Sequence, residues 1–166
     1  MATASLLARA GHQVTVFEKF ATPQSVGAGI LVQPSGLAAM AVLGIAEEVL
    51  SHGARVDHLF GVTPRQRPVV DVRYRAWREG AFGLGLHRGV LFDALWRLAQ
   101  ASGVTVRTGH EVRELAALEA GHDLVVVADG ARSTLRVDPV AVVPLGRPDA
   151  GRDADRLGAR ARRPGP

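Results

Sequence analysis

The segment from Asp123 to Arg136 constrains this chain more than any other. Five consecutive apolar residues, Leu124 to Ala128, run into Asp129 and Gly130, and Arg132, Ser133 and Arg136 follow. A continuous apolar run bounded by turn residues predicts a strand buried on both faces, as in a parallel sheet. Ligands of open α/β sheets sit just past the carboxyl ends of such strands. Asp129 and Gly130 therefore stand where a bound ligand is expected.

The rest of the chain supplies the elements such a sheet needs. Leu6, Leu7 and Ala10 give an apolar side to a short helix over 5–10, and Gly11 stands at its C-terminal glycine position. Residues 13–17 alternate polar and apolar with β-branched side chains, which predicts a strand ending at Glu18 and Lys19. Gly27 and Gly29 mark a tight loop. Pro34 and Ser35 suit a helix start, and Gly44 ends that helix. A second short helix follows over 46–52. Residues 69–74 alternate and predict an edge strand, while Gly80, Gly83 and Gly85 read as turns. Leu91, Phe92, Leu95, Leu98 and Ala99 fall at helical spacing opposite Asp93, Arg97 and Gln100, predicting an amphipathic helix over 89–102. Strands are expected over 104–112 and 124–128. This order implies α/β layering around an incomplete, mainly parallel sheet.

Composition narrows the functional classes. With no cysteine, disulfides and thiolate metal sites are excluded. The six histidines show no ligand spacing, so no metal site is assigned. No apolar run reaches membrane-spanning length and the first residues lack a signal-peptide pattern, so a soluble cytoplasmic protein is expected. The net charge is +4, but six Arg and three Asp between Arg147 and Pro166 account for +3 of it. That Arg/Pro/Gly-rich tail, residues 137–166, is expected to be disordered because it has too little apolar surface to offset its ordering entropy. Without aromatics for base stacking, it makes nucleic-acid binding a minor alternative.

Several residues carry possible chemistry. A carboxylate at Glu18 can accept hydrogen bonds from both hydroxyls of an adenosine ribose, although an exposed Glu at a strand end satisfies the same pattern. Arg88, at the start of the amphipathic helix, can hold a pyrophosphate beside the positive helix end; an ordinary surface Arg is the plain alternative. Gly27 and Gly29 allow close backbone approach to a ligand, or form a simple turn. Asp129 and Gly130 are the strongest candidates. No Ser/His/Asp set or carboxylate pair stands out, and no catalytic side chain is assigned.

In order, these words resemble the FAD-dependent monooxygenases of the p-hydroxybenzoate hydroxylase type. The matching stretches are LLARAGHQVTVFEK (Leu6 to Lys19), GAGILVQPSG (Gly27 to Gly36), LGI (Leu43 to Ile45), HRGVLFDAL (His87 to Leu95) and DLVVVADGARS (Asp123 to Ser133). The resemblance implies a Rossmann-like FAD-binding domain over 1–136. It implies cofactor contacts from Glu18, Lys19, Gly27, Gly29, Arg88, Asp129 and Gly130. It also implies FAD with NAD(P)H as electron donor, and transfer of one oxygen atom to a small organic, often aromatic, substrate. The expectation is a fragment without the family's opening strand and G-x-G-x-x-G turn and without its C-terminal substrate region, and therefore with weak or no FAD binding and no hydroxylase activity alone. Two further readings are an FAD-dependent reductase or dehydrogenase without oxygenation, and a non-catalytic protein or nucleic-acid binder acting through the tail.

Overall fold

The computed structural model describes residues 1–25, 27–130 and 133–135. Arg132, Arg136 and the tail 137–166 lie outside the described residues. The chain divides into two compact units, Met1–Glu111 and Val112–Pro166.

The first unit opens with helix α1 (Ala2–Arg9), which ends before Gly11 at φ +92°. Strand β1 (Thr15–Phe17) follows, and then β2 (Gly29–Val32). Helix α2 (Pro34–Leu43) has Pro34 at its first turn, where a missing N–H costs nothing. It stops at Gly44, whose left-handed backbone (φ 78°, ψ 22°) lets the chain turn into α3 (Ala46–Ser51). Strand β3 (Ala54–Val56) leads directly into a hairpin of β4 (His58–Val62) and β5 (Pro68–Arg73). A single-turn helix α4 (Tyr74–Trp77), strand β6 (Gly83–His87), the long helix α5 (Arg88–Ala101) and strand β7 (Thr105–Arg107) complete the unit.

Among the described residues the ladders form three small sheets. β1 pairs in parallel with β7, β2–β6–β3 is an antiparallel trio, and β4–β5 is an antiparallel hairpin with an irregularity at Gly61/Val62. Among the described residues the parallel part of the α/β fold is the β1–β7 pair. Gly83 and Gly85, expected in turns, lie inside β6. A side chain at Gly83 would meet the Tyr74 ring, with Oη 2.8 Å from a Cβ placed there. Bare backbone at Gly83 lets Tyr74 pack and lets its hydroxyl donate to Gln33 Oε1 at 2.9 Å. Close packing, not chain reversal, explains this glycine.

Two apolar clusters hold the unit. The larger joins Val32, Met40, Leu43, Ile45, Val49, Leu84, Leu86 and Ala94. The smaller joins Ala4, Ala99 and Val104, flanked by Val14, Val16 and Val106. Helix α5 serves both, through Ala94 and Ala99. At both positions a small side chain lets the helix approach closely. Ser5 is fully buried, and its hydroxyl donates to the Met1 carbonyl at 3.1 Å.

The second unit contains a one-turn helix α6 (Ala116–Glu119). The strand expected over 124–128 does not form. A strand exists only where a neighbour accepts and donates its backbone hydrogen bonds. Among the described residues no segment pairs with this one, and Leu124 and Val126 are 47% and 54% exposed. The strand expected over 104–112 is likewise shorter, limited to the three residues that pair with β1.

Candidate functional site

The residues around the start of α5 come together through the β2–β6 ladder. Gly29 pairs with His87, the last residue of β6. The register carries on one step, so that the Arg88 N–H donates to the Ala28 carbonyl at 3.0 Å. His87 caps the helix, its Nδ1 accepting from the Gly89 N–H at 3.1 Å. Gly27 turns with φ +107°, a conformation that favours glycine. The Arg88 guanidinium lies against it, so that a Cβ at Gly27 would stand 3.1 Å from Nη1. The Gly27 turn and the Arg88 guanidinium therefore meet at the start of α5, next to Gly29 on β2. Ser25 belongs beside that helix start: its Oγ would be 3.3 Å from a Cβ on Gly89.

The electrostatics of this corner favour an anion. The first turn of α5 carries no acidic residue and begins with a cation. A guanidinium fork and the positive end of a fourteen-residue helix are both groups that attract a phosphate or carboxylate.

A second group sits just past β1. The Glu18 N–H donates to the Arg107 carbonyl at 2.9 Å, and its carbonyl accepts from the His110 N–H at 2.9 Å. These bonds extend the β1–β7 pairing and fix Glu18 at the carboxyl end of the parallel pair. Its Oε1 accepts from the Phe20 N–H at 2.9 Å, closing a small turn that orients the carboxylate. Lys19 is exposed, with Nζ 4.9 Å from the Phe20 ring centroid. Phe17 and His110 face each other with ring centroids 5.0 Å apart. His110 and the capping role of His87 were missed by sequence reasoning. Histidine is not a preferred N-cap, and His110 reaches Phe17 only through the β1–β7 pairing.

Asp129 and Gly130 belong to the second unit. There Gly130 has φ +91°, and its carbonyl accepts from the Ser133 N–H at 3.2 Å, so the Asp-Gly pair does open a turn. No helix among the described residues is long and apolar enough to cross a membrane.

The family model described as the FAD binding domain matches residues 1–141. The chain belongs to the FAD-binding domain family. It is 30% identical over 142 residues to aurachin C monooxygenase/isomerase of Stigmatella aurantiaca, covering 78% of this chain and 37% of that protein. It is 32% identical over 147 residues to 2-heptyl-3-hydroxy-4(1H)-quinolone synthase of Mycobacteroides abscessus, covering 82% and 38%. Among solved structures, a variant of 2-methyl-3-hydroxypyridine-5-carboxylic acid oxygenase superposes with a TM-score of 0.67 at 26% identity, over 81% of this chain and 38% of that one. This FAD-binding-domain chain thus spans less than two fifths of the length of these relatives. The family match and the relatives bear out the resemblance to FAD-dependent monooxygenases drawn from the sequence words, and with it the α/β fold class.

Proposed function

We propose that this chain is the flavin-binding portion of an NAD(P)H-dependent monooxygenase acting on a small organic substrate in the cytoplasm. Residues 1–136 make up that portion, with 137–166 beyond it. FAD, when bound, supplies the redox chemistry: it takes two electrons from NAD(P)H and enables dioxygen to give one atom to the substrate. The names of the relatives, a monooxygenase/isomerase, a quinolone synthase and a pyridine-carboxylic acid oxygenase, support this reaction class.

The observation that carries the reading is the Arg88 guanidinium seated against side-chain-free Gly27 at the positive end of α5. That donor set fits the diphosphate of FAD: a planar fork of N–H donors lying against the bare backbone of Gly27, and a helix end of the right sign. Arg88, Gly27 and Gly29 hold the diphosphate in this reading. Glu18 accepts from the adenosine ribose hydroxyls, with Lys19 beside it. No side chain of this chain is assigned a proton-transfer role.

Equilibrium titration of FAD against the 166-residue chain, followed by flavin fluorescence, tests the assignment. Arg88→Gln is expected to weaken binding about tenfold or more, the worth of one charge-assisted contact. FAD binding of the same strength in the Arg88→Gln variant and the parent chain would overturn the reading.

A further inference from the structure

The geometry points to a binding site for a compact oxyanion, a phosphate ester or small dicarboxylate, in the cavity that Arg55, Arg73 and Arg75 line at the base of the β4–β5 hairpin. The cavity has a volume of about 360 Å³ and is also lined by Asp57 and His58. That size suits a small molecule and is too small for a dinucleotide. None of these residues is among those assigned to FAD, so the inference stands apart from the flavin reading.

Three elements bring the arginines together. Arg55 lies on β3, Arg73 ends β5 and Arg75 lies on α4. The hairpin register sets His58 opposite Arg73, and the Tyr74 N–H donates to the Asp57 carbonyl at 3.2 Å. The turn from β3 into β4 is thereby tied to the exit of β5. Residues eighteen and twenty positions apart in the chain, Arg73 and Arg75 against Arg55, face one space as a result.

The charges do not cancel. Among the described residues Asp57 is the one carboxylate lining the cavity, and it accepts from Arg55 Nε at 2.8 Å. That bond leaves the two Nη groups of Arg55 outside it, while the guanidinium is held in place over the Phe82 ring at 4.2 Å. Asp71 pairs with His58 Nε2 at 2.6 Å and forms a longer ion pair with Arg73 Nε at 3.8 Å. Arg75 has no carboxylate partner among the described residues. Three guanidinium groups thus share one space with two carboxylates, Asp57 lining it and Asp71 beside Arg73, which leaves a positive excess at Arg75. Arginine forks match the oxygens of carboxylate and phosphate in pairs, which selects an oxyanion over a halide.

Equilibrium dialysis of radiolabelled inorganic phosphate and of radiolabelled succinate tests this, at ionic strength fixed with chloride. An Arg88→Gln background keeps the start of α5 from contributing. Saturable binding of either probe is expected, and the tighter of the two identifies the ligand as phosphate-like or dicarboxylate-like. Arg75→Gln is expected to weaken binding about tenfold, and Arg73→Gln with Arg75→Gln further. Asp57→Asn should tighten binding, because it removes the competing carboxylate; a gain in affinity cannot come from misfolding. Absence of saturable binding for both probes would overturn the proposal. So would binding that ignores Arg73 and Arg75, or weakening by Asp57→Asn.

Discussion

Replacing Gly53 by alanine tests how tightly the larger core is packed. Gly53 has an ordinary negative φ, so its requirement is for space. A Cβ there would lie 2.6, 2.7 and 2.9 Å from Cγ, Cδ1 and Cδ2 of Leu84. A flexible side-chain end normally moves aside, but Leu84 is 1% exposed and surrounded by Val32, Met40, Leu43, Ile45, Val49 and Leu86. Overpacking of this kind costs about 1–3 kcal/mol. Alanine also narrows the unfolded ensemble, which offsets about 0.4–1 kcal/mol. The net expectation is a loss of about 1–2 kcal/mol, or a urea midpoint lower by roughly 0.5–1 M with an unchanged slope. Leu84→Ala alone should cost about 2–5 kcal/mol through the cavity it leaves. It removes all three clashing atoms, so the double variant should cost about 1–2 kcal/mol less than the sum of the single changes. Urea unfolding followed by tryptophan fluorescence measures all four proteins of the cycle. Costs that add to within about 0.5 kcal/mol would show that Gly53 and Leu84 do not compete for the same space, and the packing argument would fail.

Gly27→Ala should weaken FAD binding at least as much as Arg88→Gln, because the new Cβ both strains a φ of +107° and crowds Nη1; flavin titration of the two variants side by side checks this. Glu48 accepts a hydrogen bond from Arg97, but Arg97 is largely exposed, so Glu48→Ala should shift stability by less than about 1 kcal/mol in urea unfolding. Burial holds the Met1 amino group below its ordinary value of 8.0. Between the lowered value and 8.0 the unfolded chain binds more protons than the folded one. This group therefore makes stability rise as pH rises toward 8.0 and adds nothing further above it. Urea midpoints across that range, with an N-terminally acetylated chain as the flat control, measure the effect.

The legible parts of the fold were those written in local signals. Pro34 and Gly44 bracket α2, and helical spacing with Gly103 closes α5, because caps and breakers act within a turn of where they stand. The strand over 124–128 carried the strongest apolar pattern in the chain and forms no ladder, since pairing depends on a partner that apolar composition cannot supply. β2, β3 and β6 were hidden for a related reason. Gly83 and Gly85 look like turn residues, and only the arrival of Tyr74 and β3 beside them explains glycine inside a strand. In the candidate site, Arg88 and the Gly27 loop each stood out as part of a short motif, but that they meet at the start of α5 depends on the β2–β6 ladder. The cluster of Arg55, Arg73 and Arg75 was not, because it exists only through the hairpin register.

The β1–β7 pair joins Thr15 to Thr105, ninety positions apart, through three residues on each side. Closing a loop of that length costs about 4 kcal/mol in chain entropy, for which so short a ladder gives little return. The closure depends on the apolar contacts of Ala4, Ala99 and Val104 beneath it. In kinetic order it therefore belongs late: the hairpin and the α2–α3 corner assemble from near neighbours, and the long-range zipper shuts afterwards. Glu18 is tied to that zipper through Arg107 and His110, whereas Arg88 is tied to the β2–β6 ladder. The two ends of the candidate cofactor site thus mature at different moments. A transient opening of β1 from β7 would release Glu18 while the corner at Arg88 stayed intact.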